Sequence, residues 1–425
     1  ALGVLVGMAD TVMVSSVGEA AISGVSLVDM INQLIITVFG ALATGGAVVT
    51  SQHLGAKRPE EAARSAGQLV GLSGILGAAV AVFCLVTRTA QLRLFFGTIS
   101  EDVMQACLIY FTITALSFPF LALYNPGAPI FRSTANGAVS MTLSLLATPI
   151  TFCGPALCVF VLRMGVAGVA VPTLVSRAVG AVIILSLAAR RDYVLRITPR
   201  TVTRLEGRTV KGILYIGIPS AFENSLFQLG RVLVVSMISL FGTVHISANA
   251  VANNLDAVGC IVGNAMGLAM ITVVGRCVGA QDFEQTKHYT KKLLLWDYIA
   301  QGTVNLLVLL FLNRILGMYT LSPETRALSW TLVMIHNGVA ILLWPAGFVL
   351  PNALRAANDV RFTMLTSILS MIVWRMGLSW VLCVNMGMGA VGVWLAMVVD
   401  WICRVTCFVI RFASGAWQKS AVKKV

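Results

Sequence analysis

Hydrophobic residues occur along this chain in long blocks separated by short polar loops. A helix needs about 20 predominantly apolar residues to cross a bilayer. We expect the first block to be the end of a helix that begins before Ala1. The pattern predicts twelve spanning helices, over residues 1–14, 20–50, 64–87, 104–131, 138–161, 165–189, 212–240, 244–275, 290–312, 326–353, 362–383 and 388–411.

The composition of the chain strengthens the prediction of a membrane protein. Its 425 residues are 58% hydrophobic and 11% charged, and the mean hydropathy is +0.88. Soluble domains carry about 25% charged residues. None of the nine cysteines forms a CxxC pair, so neither a zinc site nor a disulfide framework is indicated. An all-α integral membrane protein is therefore expected.

The distribution of basic residues predicts the orientation in the membrane. Most Lys and Arg residues lie in the loops after the even-numbered helices and in the C-terminal tail, for example Lys57, Arg58 and Arg190. Such loops stay in the cytoplasm, so both chain ends are predicted to be cytoplasmic. The net charge of +13 is then a topology signal that requires no nucleic-acid partner.

The second half of the chain repeats the pattern of the first. The segment GEAAISGVS at 18–26 matches GTVHISANA at 242–250, a shift of 242 − 18 = 224 residues. Three more matches follow in the same order. Six helices per half give two lobes related by a pseudo-two-fold axis along the membrane normal, an architecture of transporters. We expect an N-lobe at 1–189, a cytoplasmic linker at 190–211 and a C-lobe at 212–425.

Three motifs connect this architecture with a known family. The segments DTVMVSSVG at 10–18, ATGGAVVTSQHLGA at 43–56 and GVAGVAVPT at 165–173, with their second-half counterparts, resemble the multidrug and toxic compound extrusion (MATE) family over the whole chain. The resemblance implies a plasma-membrane antiporter that works as a monomer, without an organic cofactor. Such a protein exports organic, often cationic compounds in exchange for H⁺ or Na⁺.

Proteins of other classes fit the sequence less well. A flippase for a lipid-linked sugar belongs to the same superfamily, but its cleft is usually strongly cationic, whereas the central candidates here are acidic and amide-rich. An intramembrane enzyme is disfavoured because the chain has no HExxH and no protease-like pair of aspartates. The single buried acids and the duplication also argue against a channel.

Ionisable residues inside spanning segments are functional candidates by default because burying them is costly. Asp10 lies in the first segment with no basic residue beside it. A lone carboxyl group at low dielectric can exchange a proton near neutral pH. The resemblance implies a cation site at Asp10 with Tyr110 and Thr173. The family's Asn and Asp on the fifth helix are replaced here by Thr151 and Pro155, which favours protons over a Na⁺ cage.

A second set of polar residues occupies equivalent positions in the two halves. Asp29 and Asn32 share one helix face, and the repeat shift converts them to Asn253 and Asp256 in swapped order. If the lobes face each other, these groups line a central cleft that suits a cationic amphiphile; the alternative is a set of hydrogen bonds that stabilises one gate state. The predicted cleft residues are Asp29, Asn32, Gln33, Glu223, Asn253, Asn254 and Asp256.

The C-lobe contains further embedded charges. Glu223 follows Pro219 in the seventh segment and has Arg231 two turns on, or a residue elsewhere in the lobe, as a candidate partner. Asp400 and Arg404 are four residues apart on one helix, a spacing that favours a salt bridge.

With Arg375, Asp400 and Arg404 are predicted to form a structural polar cluster. His336 is expected to be an ordinary core histidine. Arg177 needs a partner that the sequence does not identify.

Overall fold

The chain is described by a computed structural model over residues 17–96, 100–134, 137–190, 195–319 and 321–422. Within these ranges every regular element is helical and no strand occurs. The expectation of an all-α protein is therefore confirmed.

The first half of the chain forms long helices connected by short loops. The helices are α1 (Glu19–Gly55), α2 (Pro59–Phe96), α3 (Glu101–Ser133), α4 (Gly137–Ala156), α5 (Ala167–Ala188), the short α6 (Pro199–Thr203) and α7 (Gly207–Ser239).

The second half contains shorter helices, several of them joined through π-helical turns. The helices are α8 (Thr243–Gly259), α9 (Ile261–Gly279), α10 (Phe283–Leu310), α11 (Leu312–Gly317), α12 (Pro323–Trp344), α13 (Leu350–Ala356), α14 (Val360–Ser370), α15 (Gly389–Ala413) and α16 (Gln418–Val422).

Local sequence explains several of the helix boundaries. Asp282 precedes α10 and accepts the backbone N–H of Gln285 at 2.9 Å, and Ser322 caps α12 in the same way through Thr325 at 3.2 Å. Such caps satisfy backbone donors that the first helical turn leaves unpaired.

The segment expected as one helix over 244–275 is divided at Cys260 into α8 and α9. The physical cause lies one residue earlier, where the side chain of Asn305 donates to the carbonyl of Gly259 at 3.1 Å. In a continuous helix, that carbonyl would accept a backbone N–H from the next turn. A side chain that inserts between the two groups interrupts the helical hydrogen bonds. The break lies one turn after Asp256.

Prolines and π-helical turns shape the second half. A π-helical turn at Pro345–Val349 joins α12 to α13, and another at Met371–Leu378 continues α14. Such turns insert one extra residue per turn and often occur at functional sites. The second of them contains Arg375.

Within the described residues, nine helical stretches are long and apolar enough to span a membrane: Ser23–Gly55, Pro59–Phe95, Glu101–Ser133, Ala167–Ala188, Ile261–Gly279, Phe283–Leu310, Pro323–Ala356, Val360–Asn385 and Gly389–Ala413. Large apolar side chains such as Leu94, 82% exposed, lie on the outside, where lipid is their natural solvent. The chain is thus a multi-pass membrane protein. The first expected helix, 1–14, lies outside the described residues, and the count of twelve stays a prediction.

The chain forms two compact units. Unit 1 contains Arg58–Ala221 together with the chain up to Thr50, and unit 2 contains Ser51–Lys57 and Phe222–Val425. The core of unit 2 is the larger cluster of buried apolar residues and includes Trp344, Trp394 and Trp401. A second cluster fills unit 1 around α1, α2 and α3 and includes Phe111 and Phe118.

Candidate functional site

Unit 2 contains an open cavity of about 370 Å³. This volume lies within the range of small-molecule sites, which combine apolar walls with a few polar groups. The cavity is lined by residues from α7, α8, α9, α12, α15 and the two π-helical turns at Pro345–Val349 and Met371–Leu378. Its polar and charged lining residues are Arg231, Asn249, Asn253, Asp256, Asn264, His336 and Arg375, and its aromatic ones are Phe227, Trp344, Phe348, Trp394 and Trp401.

The carboxylate of Asp256 is held by two neighbours at the cavity wall. His336 Nε2 lies 2.7 Å from Asp256 Oδ1, and the thiol of Cys260 donates to the same oxygen at 3.1 Å. The side chain of Asp256 is 23% exposed and that of His336 is 2% exposed. The indole rings of Trp394 and Trp401 meet the imidazole edge to face, with centroids 5.5 and 4.9 Å away. His336, expected to be an ordinary core residue, is thus the partner of a cavity acid.

Asp256, Cys260 and His336 could also hold a metal ion, since their ligand atoms lie within 4.8 Å of one another. Tetrahedral zinc bonds of about 2.0 Å to nitrogen and oxygen would keep those two atoms about 3.3 Å apart. The observed Nε2–Oδ1 distance of 2.7 Å is instead that of a direct charge-assisted hydrogen bond.

Two guanidinium groups complete the charged part of the cavity. Arg231 lies on α7, one turn after Phe227, and is close enough to Asp256 and Arg375 to interact with both electrostatically. The Cζ atom of Arg375 lies 5.8 Å from the ring centre of Phe227. Among the residues that the structure describes, neither arginine forms an ion pair within hydrogen-bond distance of a carboxylate.

Asp400 and Arg404 form a buried ion pair beside this cavity. Arg404 Nε donates to Asp400 Oδ1 at 3.0 Å, and its Nη2 donates to the carbonyl of Ser367 at 3.1 Å. The hydroxyl of Ser370 donates to Asp400 Oδ1 at 2.5 Å. The side-chain exposures are 4% for Arg404 and 0% for Asp400. The pair predicted from the four-residue spacing therefore forms inside the core of unit 2.

Unit 1 contains a second polar cluster, centred on Asp29. Its Oδ1 atom accepts from the hydroxyl of Tyr110 at 3.0 Å and from the amide of Asn32 at 3.2 Å. Arg177 donates to the hydroxyl of Ser117 at 2.7 Å and acts electrostatically on Asp29. Arg177, which had no partner in the sequence, thus belongs to the surroundings of this acid.

The expected cation site around Asp10 stays a prediction. Asp10 lies outside the described residues. Thr151 is 3.1 Å from the hydroxyl of Ser176, and Thr173 is half-buried on α5. Tyr110, expected beside Asp10, donates to Asp29 as described above.

The two halves of the expected cleft differ in their contacts. Asn253 donates to the carbonyl of Asn249 at 2.9 Å, one turn earlier on its own helix, while Asp256 is paired with His336. Asn254 and Gln33 are exposed. The Asp–Asn hydrogen bond between Asp29 and Asn32 is therefore not repeated at the equivalent positions of unit 2.

Comparison with known proteins identifies the family. The MatE family model matches residues 1–157 and 219–381. The chain belongs to the MatE family. It is 25% identical to the uncharacterized transporter YisQ of Bacillus subtilis over 98% of this chain and 91% of that one. It is 24% identical to the probable multidrug resistance protein NorM of Thermotoga maritima, over 99% of this chain and 90% of that one.

Solved structures of the family share the fold of this MatE protein. A MOP superfamily transporter from Pyrococcus furiosus, whose binding pocket is described as having reverse polarity, matches with a TM-score of 0.89 at 20% identity, over 100% of this chain and 93% of that one. A MATE structure in complex with MaD3S matches with a TM-score of 0.90 at 21% identity, over 98% and 93% of the two chains. Together with the family match and the sequence relatives, the apolar spanning helices make the chain a membrane transporter of the MATE type.

Glu223 of this MatE protein is bound in an ion pair apart from the cavity. Arg355 Nη2 donates to Glu223 Oε1 at 2.7 Å, and Arg355 Nη1 donates to Asn352 Oδ1 at 2.7 Å. The side-chain exposures are 9% for Glu223 and 14% for Arg355. The partner of Glu223 is thus Arg355, a residue elsewhere in unit 2, and not the other candidate, Arg231.

We expect Glu223→Gln to retain gradient-driven export within about threefold of the parent rate, because the carboxylate is paired with Arg355 and does not line the cavity. Glutamine keeps one oxygen acceptor for the guanidinium, so the loss of unfolding free energy should be about 1–2 kcal/mol. Thermal unfolding in detergent and export from proteoliposomes check the two parts. Export that loses its dependence on the driving ion in this variant would show that Glu223 itself carries the coupling ion.

One embedded acid was missed from the sequence. Asp297 on α10 is fully buried, and neither carboxyl oxygen has a hydrogen-bond partner among the described residues. The signal was an acid in the middle of an expected spanning segment, LLLWDYIAQG. An unpaired buried carboxylate is costly, which makes Asp297 a further ionisable candidate of the MatE protein.

Proposed function

We propose that this protein is a secondary exporter of amphiphilic organic compounds, driven by H⁺ or Na⁺ entry. Alternating access would follow a rocker-switch movement of the N-lobe, 1–189, against the C-lobe, 212–425. The observation that carries the proposal is the 370 Å³ cavity of unit 2, where aromatic walls and charged groups occur together inside a membrane transporter. Relatives named as multidrug resistance proteins support it.

The coupling ion is proposed to bind in the N-lobe at Asp10, and the carboxyl group of Asp29 is a second candidate group in the same lobe. Asp29 receives two neutral hydrogen bonds, from Tyr110 and Asn32. Because no described residue forms a salt bridge with Asp29 at contact distance, this carboxyl group can take up or release a proton without breaking one. The negative charge of Asp29 would also attract a cationic substrate, which agrees with the expectation that the protein exports organic cations. Thr151 and Thr173 are the first residues to test as additional oxygen ligands if Na⁺ drives transport.

The setting of the protein follows from the same proposal. The basic loops place both chain ends on the cytoplasmic side of the cell membrane. The protein acts as a monomer and needs no organic cofactor. The lipid-linked sugar flippase is not favoured, since these relatives are named as probable multidrug resistance proteins or as an uncharacterized transporter.

Transport by the purified protein in proteoliposomes tests this function. A pH gradient and a Na⁺ gradient are imposed separately, and the movement of ethidium is followed by fluorescence. We expect one gradient to drive ethidium transport at least tenfold above protein-free vesicles, and the matching ionophore to abolish it. If ethidium and a panel of other amphiphiles stay at the protein-free rate under both gradients, the proposed function is wrong.

A further inference from the structure

The cavity of unit 2 has more positive than negative charge on its wall. Arg231 and Arg375 line it together with one carboxylate, Asp256, which His336 already contacts at 2.7 Å. The nearby Asp400 is bound by its own partner, Arg404, at 3.0 Å. The closest contact of each acid is with another residue, and no carboxylate among the described residues forms an ion pair with Arg231 or Arg375. On the cavity wall, two positive charges therefore face the single negative charge of Asp256.

Unbalanced arginines inside a membrane protein are costly and mark sites where a charged ligand passes or binds. Arg375 Nε is buried and has no hydrogen-bond partner within the described part of the chain. Trp401 lines the same cavity, and its indole N–H likewise lacks an acceptor among those residues. These two unsatisfied groups of the cavity wall are hydrogen-bond donors, whereas the unsatisfied Oδ2 atom of Asp400 belongs to a residue outside the lining. An anion is the ligand that accepts from donors of this kind.

The rest of the wall suits an aromatic body. Trp344 and Phe348 stack at 5.0 Å between ring centres, and the edge of Trp401 meets Phe348 at 5.7 Å. Aromatic walls of this kind bury apolar ligand surface and favour offset or edge-on ring contacts. The volume of about 370 Å³ limits the occupant to a small molecule.

We propose that this cavity binds small aromatic amphiphiles through an anionic group, a carboxylate or sulfonate held by Arg231 and Arg375. The inference rests on the proposed export function, because it identifies a class of compound that the exporter takes. Planar guanidinium groups match the oxygen geometry of such anions and can donate two parallel hydrogen bonds. The aromatic body of the ligand lies against the tryptophan side of the cavity.

Calorimetric titration of the purified protein with a matched ligand pair tests the proposal. Naphthalene-2-sulfonate and naphthalene-2-sulfonamide share a ring system and differ in charge. We expect the sulfonate to bind at least tenfold more tightly, and its advantage to shrink as salt is added. Arg231→Gln should weaken sulfonate binding about tenfold and leave sulfonamide binding within about twofold, while Arg231→Lys should recover part of the loss.

Arg208→Gln is the matched control, since Arg208 is an exposed arginine on the same helix, α7, and does not line the cavity. It should bind both ligands as the parent protein does. Equal affinity for the two ligands, or binding of neither naphthalene compound, would each overturn the proposal. Because the comparison in the parent protein needs no variant, a misfolded Arg231→Gln protein does not remove the test.

The export assay separates this inference from the function on which it rests. Gradient-driven ethidium transport combined with no preference for the sulfonate would overturn the anion site and leave the exporter proposal standing. Sulfonate binding without transport of any amphiphile under either gradient would overturn the exporter proposal and leave the anion site standing.

Discussion

Replacing Arg404 by methionine is expected to lower the free energy of unfolding by about 3–5 kcal/mol. The substitution removes the partner of Asp400, whose side chain is 0% exposed. The carboxylate would keep the hydrogen bond from Ser370 and the electrostatic interaction with Arg375, but it would have no ion-pair partner in contact, and a buried charge left in this way is costly. Equilibrium unfolding of the purified protein in mixed micelles measures the loss.

A double variant and a surface control make this result specific. Adding Asp400→Leu to Arg404→Met removes the orphaned charge, so the double variant should be more stable than Arg404→Met alone. Lys287→Met breaks an exposed pair with Glu284, 3.2 Å apart, and should change stability by less than about 0.5 kcal/mol. A loss below about 1 kcal/mol for Arg404→Met would mean that the pair contributes little to folding.

Asp10→Asn is expected to reduce gradient-driven export at least tenfold and to remove its dependence on the driving ion. Asparagine has nearly the same shape as aspartate but neither releases a proton nor supplies a negative charge for Na⁺. If Asp10 is the coupling group, the variant should bind substrate as the parent protein does, but the ion gradient should no longer drive transport. Proteoliposome export under separate pH and Na⁺ gradients, combined with a binding titration, measures both effects.

Asp102→Asn is the appropriate control, since Asp102 is an exposed acid in the first turn of α3. It should export at the parent rate. Asp29→Asn should produce a smaller loss than Asp10→Asn if Asp29 mainly supports the site through its contacts with Tyr110 and Asn32. Normal ion-dependent export by a folded Asp10→Asn protein would exclude Asp10 as the coupling residue and move attention to Asp29 and Asp297.

Much of the fold could be predicted because the bilayer imposes a simple requirement on the sequence. A spanning helix must satisfy its own backbone and present apolar side chains to lipid, so long hydrophobic runs predicted the helices. The break at Cys260 was missed because it depends on the amide of Asn305, on another helix, reaching the carbonyl of Gly259.

Site contacts within one helix were also accessible from spacing. Side chains three or four residues apart share a helix face, and both Asp29–Asn32 and Asp400–Arg404 make the contacts that this geometry allows. The internal repeat was a less reliable guide. Equivalent positions in the two halves carry an Asp and an Asn, yet Asp256 pairs with His336 instead of Asn253.

The sequence by itself determined that the chain spans a membrane with many helices and belongs among MATE-type transporters, since these properties depend on local hydrophobicity and on motif order. The tertiary structure alone decided which charges remain available for a ligand. Glu223 meets Arg355 and Asp256 meets His336 across different helices, whereas Arg231 and Arg375 face a cavity. The charge of a site is the sum over groups that packing brings together, and packing between distant helices leaves no periodic signal in the sequence.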